Sequence, residues 1–150
     1  MARFVFKLEP LLKARSRVEQ KFQLAVAQIE RERIKLEDKL RVKQISLTGG
    51  KEELRDQLSG SIDVSSLRYR ANMAQQIMRD AQRIVLELAG VHNRLFVARG
   101  KLIEAARSRR AIELVREKRY QQYKADEAKA EIAAMDELAV IAAARKEPTL

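Results

Sequence analysis

The chain has no cysteine, so disulfides and thiolate metal sites are excluded and a reducing cytoplasm is compatible with it. It has no tryptophan, only two prolines and five glycines, and aromatics make up 5%. A packed multi-layer core is not expected from so few bulky and turn-forming residues. A single histidine, His92, rules out a His-based metal cluster, and it sits beside an apolar seam as a rim residue. No apolar run approaches the roughly 18 residues of a membrane span; the longest is Leu138 to Ala144. The opening MARFVFKLEP lacks the apolar core and small-residue cleavage site of a signal peptide. There is no glycine-rich phosphate loop, since Gly49-Gly50 alone carries no such signal.

What remains is a helix-forming, highly charged mixture. Charged residues are 35% of 150, with a formal net charge of +10. Most of the basic residues are interleaved with acids, as on a solvated helical surface. A surplus of this size also suits an anionic partner: nucleic acid, a membrane surface or an acidic protein. Phosphate-only contact through Arg107, Arg109, Arg110, Arg116, Lys118 and Arg119 stays open on the sequence. The three tyrosines, Tyr69, Tyr120 and Tyr123, give only weak support for a base-stacking platform. A rod offers no concave pocket in which carboxylates acquire shifted pKa values, so catalysis is not expected. No cofactor and no small-molecule substrate are expected either.

Arg3 to Leu8 reads as extended, and Glu9-Pro10 as the first turn of a helix. From there Leu11, Val18, Phe22, Ala25, Ile29, Leu36, Leu40, Leu47, Leu54 and Leu58 recur in steps of threes, fours and sevens. Arg15, Glu32 and Lys43 fall on this stripe, and Gly49-Gly50 predicts a kink or short break. The stretch Ser59 to Ser66 is a loop rich in capping residues, with Asp63, Ser65 and Ser66 as candidates to cap the next helix. A second stripe is a clean heptad: Ala74, Ile77, Ala81, Ile84, Leu88, Val91, Leu95, Ala98, Leu102 and Ala105. Leu67 begins it, Ile112 ends it, and Arg109 is the first polar intruder. Past Ile112 the same register carries Arg116, Arg119, Tyr123 and Asp126, so the seam is expected to end there.

The two seams have matching length and flank one short loop. Such helices fold back antiparallel. The expected fold is therefore an all-α antiparallel two-helix coiled-coil hairpin in one domain, residues 1–150. Helix 1 is expected over about 9–58, the loop over 59–66 and helix 2 over 67–145, with Pro148 marking the end. Facing residues have numbers totalling about 123–125, from Leu58 with Leu67 and Leu11 with Ile112. Helix 2 then overhangs the start of helix 1 by some thirty residues, about 45 Å. The overhang carries its own apolar row, Ile132, Met135, Leu138, Ala139 and Ala142. It also carries acids, Asp126, Glu127, Glu131, Asp136 and Glu137. A lone helix gains little from propensity, so this row is a docking element for a partner. A weak point is also expected where Gly49-Gly50 faces residues 74–76. There the stripe around Met73, Ile77 and Ile84 is thinly covered, unless Ile45 and Leu47 turn in.

Three features together carry a family resemblance. The N-terminus reads Phe4-x-Phe6-x-Leu8-Glu9-Pro10-Leu11-Leu12-x-x-Arg15. The chain is a two-helix coiled coil with a longer second helix. The C-terminal stretch reads Met135-Asp136-Glu137-Leu138-Ala139, then alanine-rich, then Arg145-Lys146. In combination these resemble the FliJ family of the bacterial flagellar type III export apparatus, over the whole chain. The stalk protein of virulence type III secretion systems shares the architecture but less of the N-terminal pattern. The resemblance implies a non-enzymatic, stalk-like protein of flagellum biogenesis and motility. It implies binding to the hexameric export ATPase FliI, the export gate protein FlhA and export chaperones. It places the chain in the cytoplasm, peripheral at the cytoplasmic face of the cell membrane. Carried onto this sequence, the expected ATPase-binding residues are Leu8, Leu11, Arg15, Arg119, Tyr123, Ile132, Met135, Asp136, Glu137 and Leu138. The expected gate-binding residues are Met73, Ile77 and Ile84. The competing reading is a basic architectural helical protein that binds nucleic acid or anionic membrane.

Overall fold

The computed structural model describes residues 4–61 and 63–146. Arg3, Ile62 and Pro148, each given a place in the sequence reading, lie outside the described residues. Helix α1 spans Glu9–Gln57 and helix α2 spans Val64–Lys146, and no strand occurs among the described residues. The chain is an all-α antiparallel hairpin whose second helix, at 83 residues against 49, is the longer.

Local chemistry explains both ends of the turn. The Glu9 amide donates to the Phe6 carbonyl at 3.1 Å and the Leu12 amide to the Leu8 carbonyl at 3.0 Å, which starts α1. Pro10 sits in that first turn, where no amide hydrogen is needed. At the other end the amides of Leu58, Ser59 and Gly60 bond back to Leu54, Asp56 and Gln57. Asp63 then caps α2. Its two carboxylate oxygens accept from the Ser65 amide at 3.0 Å and the Ser66 amide at 3.3 Å. Helix α2 accordingly begins three residues earlier than the apolar stripe alone indicates. The expected break at Gly49-Gly50 does not occur. Helical backbone runs through both glycines, neither has a positive φ, and the helices' other residues supply enough pairing to hold them.

The chain packs as two compact units, Gln20–Glu104 and the pairing of Met1–Glu19 with Ala105–Leu150. In the first of these, Leu36, Ile84 and Val91 form the core, with Ile29, Leu40 and Leu88 packed on it. Val91 is only 1% exposed. Burying such a side chain contributes about 1.5–3 kcal/mol. Every member of the Ala74 to Ala105 heptad is buried or half-buried. Polar residues on the seam are matched across it: Lys43 pairs with Asp80 at 2.9 Å and Arg70 with Glu53 at 2.7 Å. Both pairs have numbers totalling 123, the register read from the seams. Glu32, a flaw in the stripe, instead takes Arg94 at 2.7 Å.

In the second unit the register of α1 differs from expectation. Leu12, not Leu11, is buried, at 8% against 42% exposed. The heptad seam ends at Ile112 as expected, with Arg116 and Arg119 exposed, but the pairing of the chain ends continues past it. The extended stretch before α1 lies along α2 and supplies what the heptad lacks. Phe4 meets Tyr120 edge-on at 5.3 Å and Tyr123 at 5.6 Å. Arg119 lies 6.0 Å over the ring of Phe6, which is itself 7% exposed. Arg109, the polar intruder, is held between Glu19 and Glu113, both mostly covered.

Candidate docking sites

The residues expected to bind an ATPase all fall in the unit that joins the two chain ends, where they divide into two groups. Arg119 and Tyr123 belong to the aromatic clasp, while Leu8, Leu11 and Arg15 stand at the start of α1 in the same unit. Leu8 is half-buried, Leu11 and Arg15 are exposed, and Arg119 and Tyr123 are engaged with Phe6 and Phe4. Burial raises the Tyr123 hydroxyl pKa, as does the Glu127 carboxylate to which it donates at 3.3 Å. Tyr123 therefore stays a neutral donor at physiological pH.

The second group stands on the overhang. Every residue from Ala128 to Arg145 is exposed. Ile132, Met135 and Leu138 are 62%, 70% and 66% exposed, and Val140 and Ile141 add to the uncovered apolar surface. Asp126, Glu131, Asp136 and Glu137 have no ion-pair partner among the described residues. The helix thus presents apolar and acidic groups that nothing in its own unit satisfies. The opposite holds one stretch earlier. Arg109 and Arg110 share Glu113, Arg110 reaches Glu117, and Arg116 reaches Glu9. The Arg110 hydrogen bond, then burial against it and the Arg109 bond, leave the Glu113 carboxyl below its usual range. The basic segment proposed for phosphate contact is therefore partly spent on internal carboxylates.

The expected gate-binding residues fall in the other unit, Gln20–Glu104. Met73 is 51% exposed and Ile77 half-buried. They line an apolar cavity of about 380 Å³ with Leu47, Leu54, Leu67 and Ala74. Leu47 turns in, while Ile45 stays 64% exposed. The cavity lies beside Gly50, where α1 has no side chain to fill it. Ile84 does not belong with them: it is 8% exposed in the Leu36–Val91 core, because Leu36 and Leu40 cover it. Sequence reasoning missed a second opening, lined by Leu40, Gln44, Met78, Ala81, Val85 and Leu86. Its signal was present as apolar residues just off the heptad, at Met78 and Val85.

No helix among the described residues is long and apolar enough to cross a membrane, and no group of three or more metal-ligating side chains occurs among them. No curated protein and no solved structure matches the chain. The family model of the flagellar FliJ protein matches residues 4–148. With the hairpin, the longer second helix and nearly the whole length accounted for, the chain belongs to the FliJ family and is a component of the flagellar export apparatus.

Proposed function

We propose that the chain is a non-enzymatic, stalk-like adaptor of the flagellar type III export apparatus. Its clasped chain ends and overhang dock in the hexameric export ATPase FliI. The Met73–Ile77 cavity receives a segment of the export gate protein FlhA, and export chaperones bind the assembled adaptor. It works at the cytoplasmic face of the cell membrane, held there by these partners. The observation that carries the reading is the overhang itself. A helix with more than a full turn of large apolar side chains at 62–70% exposure, bordered by unpaired acids, is a surface awaiting a partner. The cavity beside Gly50 supplies a second, separate apolar site.

The test is a pull-down of the full chain with the purified ATPase and, separately, with the cytoplasmic part of the gate protein. Met73→Ala with Ile77→Ala should weaken gate capture and leave ATPase capture intact. Capture of neither partner by the wild-type chain overturns the adaptor reading. Salt-sensitive binding to any duplex DNA, without effect on the ATPase, replaces it with the architectural one.

A further inference from the structure

Helix α2 carries a second apolar stripe that the hairpin does not use. Met78, Val85, Phe96 and Ile103 are spaced by seven, eleven and seven residues. At about 100° per residue they stand within roughly 20° of one line along the helix. All are exposed: 51%, 51%, 81% and 53%. Leu86, 74% exposed, and Ala89 widen the stripe. At one end Met78, Val85 and Leu86 form, with Leu40 and Gln44 of α1, the groove already noted. That is the seat a third helix takes against a helical pair.

Two further observations say what fits there. Beside Leu86 the outward border of the stripe is basic. Arg79 and Arg83 flank it there without a carboxylate ion pair, while at the Ile103 end Glu104 stands nearer the stripe than Lys101 does. Gly100 lies within the stripe, and a Cβ built on it meets nothing within 4 Å. Glycine in a helix interior destabilises it relative to alanine, and nothing inside the chain needs the space. A notch beside an exposed Phe suits close approach by another backbone. The occupant this describes is a helix with an apolar row and acidic borders.

The chain itself contains that helix. Residues 126–137 hold five acids, Asp126, Glu127, Glu131, Asp136 and Glu137, against Lys129 alone, in a chain of net charge +10. Glu131 stands on the same face as Met135 and Leu138, four and seven residues before them, and Asp136 stands one turn after Ile132. We infer that the overhang of one copy docks on the Phe96 stripe of a second copy. Both rows stand on one continuous helix, so the contact is between copies. Stripe against stripe is disfavoured, because it brings the basic borders together. Self-docking covers the overhang when no other partner holds it, and the contact needs no ATPase to form.

The experiment is sedimentation of the full chain alone from micromolar to millimolar concentration, at low and high salt. The expected result is concentration-dependent association that weakens as salt rises. Phe96→Ala with Leu86→Ala should weaken it at least tenfold without changing the helical circular dichroism, since both side chains are exposed. Gly100→Ala should raise the melting temperature by about 2–4 °C and yet weaken association. The charge reversals identify the occupant. Glu131→Lys with Asp136→Lys in one preparation, and Arg79→Glu with Arg83→Glu in another, should each be monomeric. Mixed, they should associate, because reversed overhang meets reversed border. A wild-type chain that stays monomeric throughout overturns the inference. So does association that survives the overhang reversal, which makes stripe-to-stripe contact the answer, and so does failure of the mixture to associate.

Discussion

Asp80 shows how single residues decide this hairpin. The Lys43 ammonium, by hydrogen bond and by charge, holds the Asp80 carboxyl below its usual range. A carboxyl lowered on folding contributes stability above its unfolded pKa and loses it as pH falls through the folded value. Melts followed from about pH 6 to about pH 3 should show this loss, and Asp80→Asn should flatten it. Glu30 contributes in the same direction: burial opposes its ionisation, but Arg99 and Arg33 outweigh burial. The two glycines of α1 teach a different point. Their sequence reads as a break, yet each has helical backbone and open space around its α-carbon. Gly49→Ala and Gly50→Ala should therefore each stabilise the chain by about 0.5–1 kcal/mol, read as a higher urea midpoint with unchanged slope. An unchanged or lower midpoint would mean that the cavity beside Gly50 depends on the missing side chains. The Leu11–Leu12 exchange has its own cause. Two adjacent leucines satisfy the period equally well, and only the approach of the extended stretch selects Leu12.

At the scale of elements, α2 was legible because its heptad is long and nearly unbroken. All ten heptad positions between Ala74 and Ala105 are at least half-buried. Long periodic signals survive local errors. The stretch before α1 was not legible, because three or four residues have no period. Its partners, Tyr120 and Tyr123, carry no sequence signal that marks them as the receiving half of a clasp. The clasp extends the pairing of the chain ends by three turns of α2 beyond Ile112. Phe6→Ala should loosen it selectively. Amide exchange should accelerate over the first turns of α1 and over residues 105–123, and stay unchanged around Leu36, Ile84 and Val91. Acceleration at both places would mean that the clasp nucleates the whole hairpin. Ile84 is the complementary case: its spacing from Met73 and Ile77 suggested a common surface, but α1 regains side chains at Leu40 and Leu36 and covers it.

For the whole molecule, the question is what a chain gains from a helix that its own partner helix does not cover. Met135 and Leu138 touch nothing that their replacement would unpack, so Met135→Ala with Leu138→Ala should change stability by less than about 0.5 kcal/mol. An anchor in an interface commonly costs more than about 1 kcal/mol when cut to alanine. The double variant should therefore melt like the wild type and yet lose stimulation of the export ATPase and motility. Asp136→Lys with Glu137→Lys should slow association with the ATPase and flatten its salt dependence, if those acids face basic groups. The deletion that completes the series must spare Tyr123, which packs on Phe4. A cut after Glu127 keeps the clasp and removes the exposed row, so it should abolish ATPase binding while the melt is retained. An early melt of the double variant would show the overhang folded back as core. Intact ATPase binding after the cut would assign docking to the first group, Leu8, Leu11, Arg15, Arg119 and Tyr123, alone. Phe96→Ala separates the two uses of the overhang. It should disrupt contact between copies and leave ATPase binding unchanged, because the overhang, not the stripe, is the part that both partners claim.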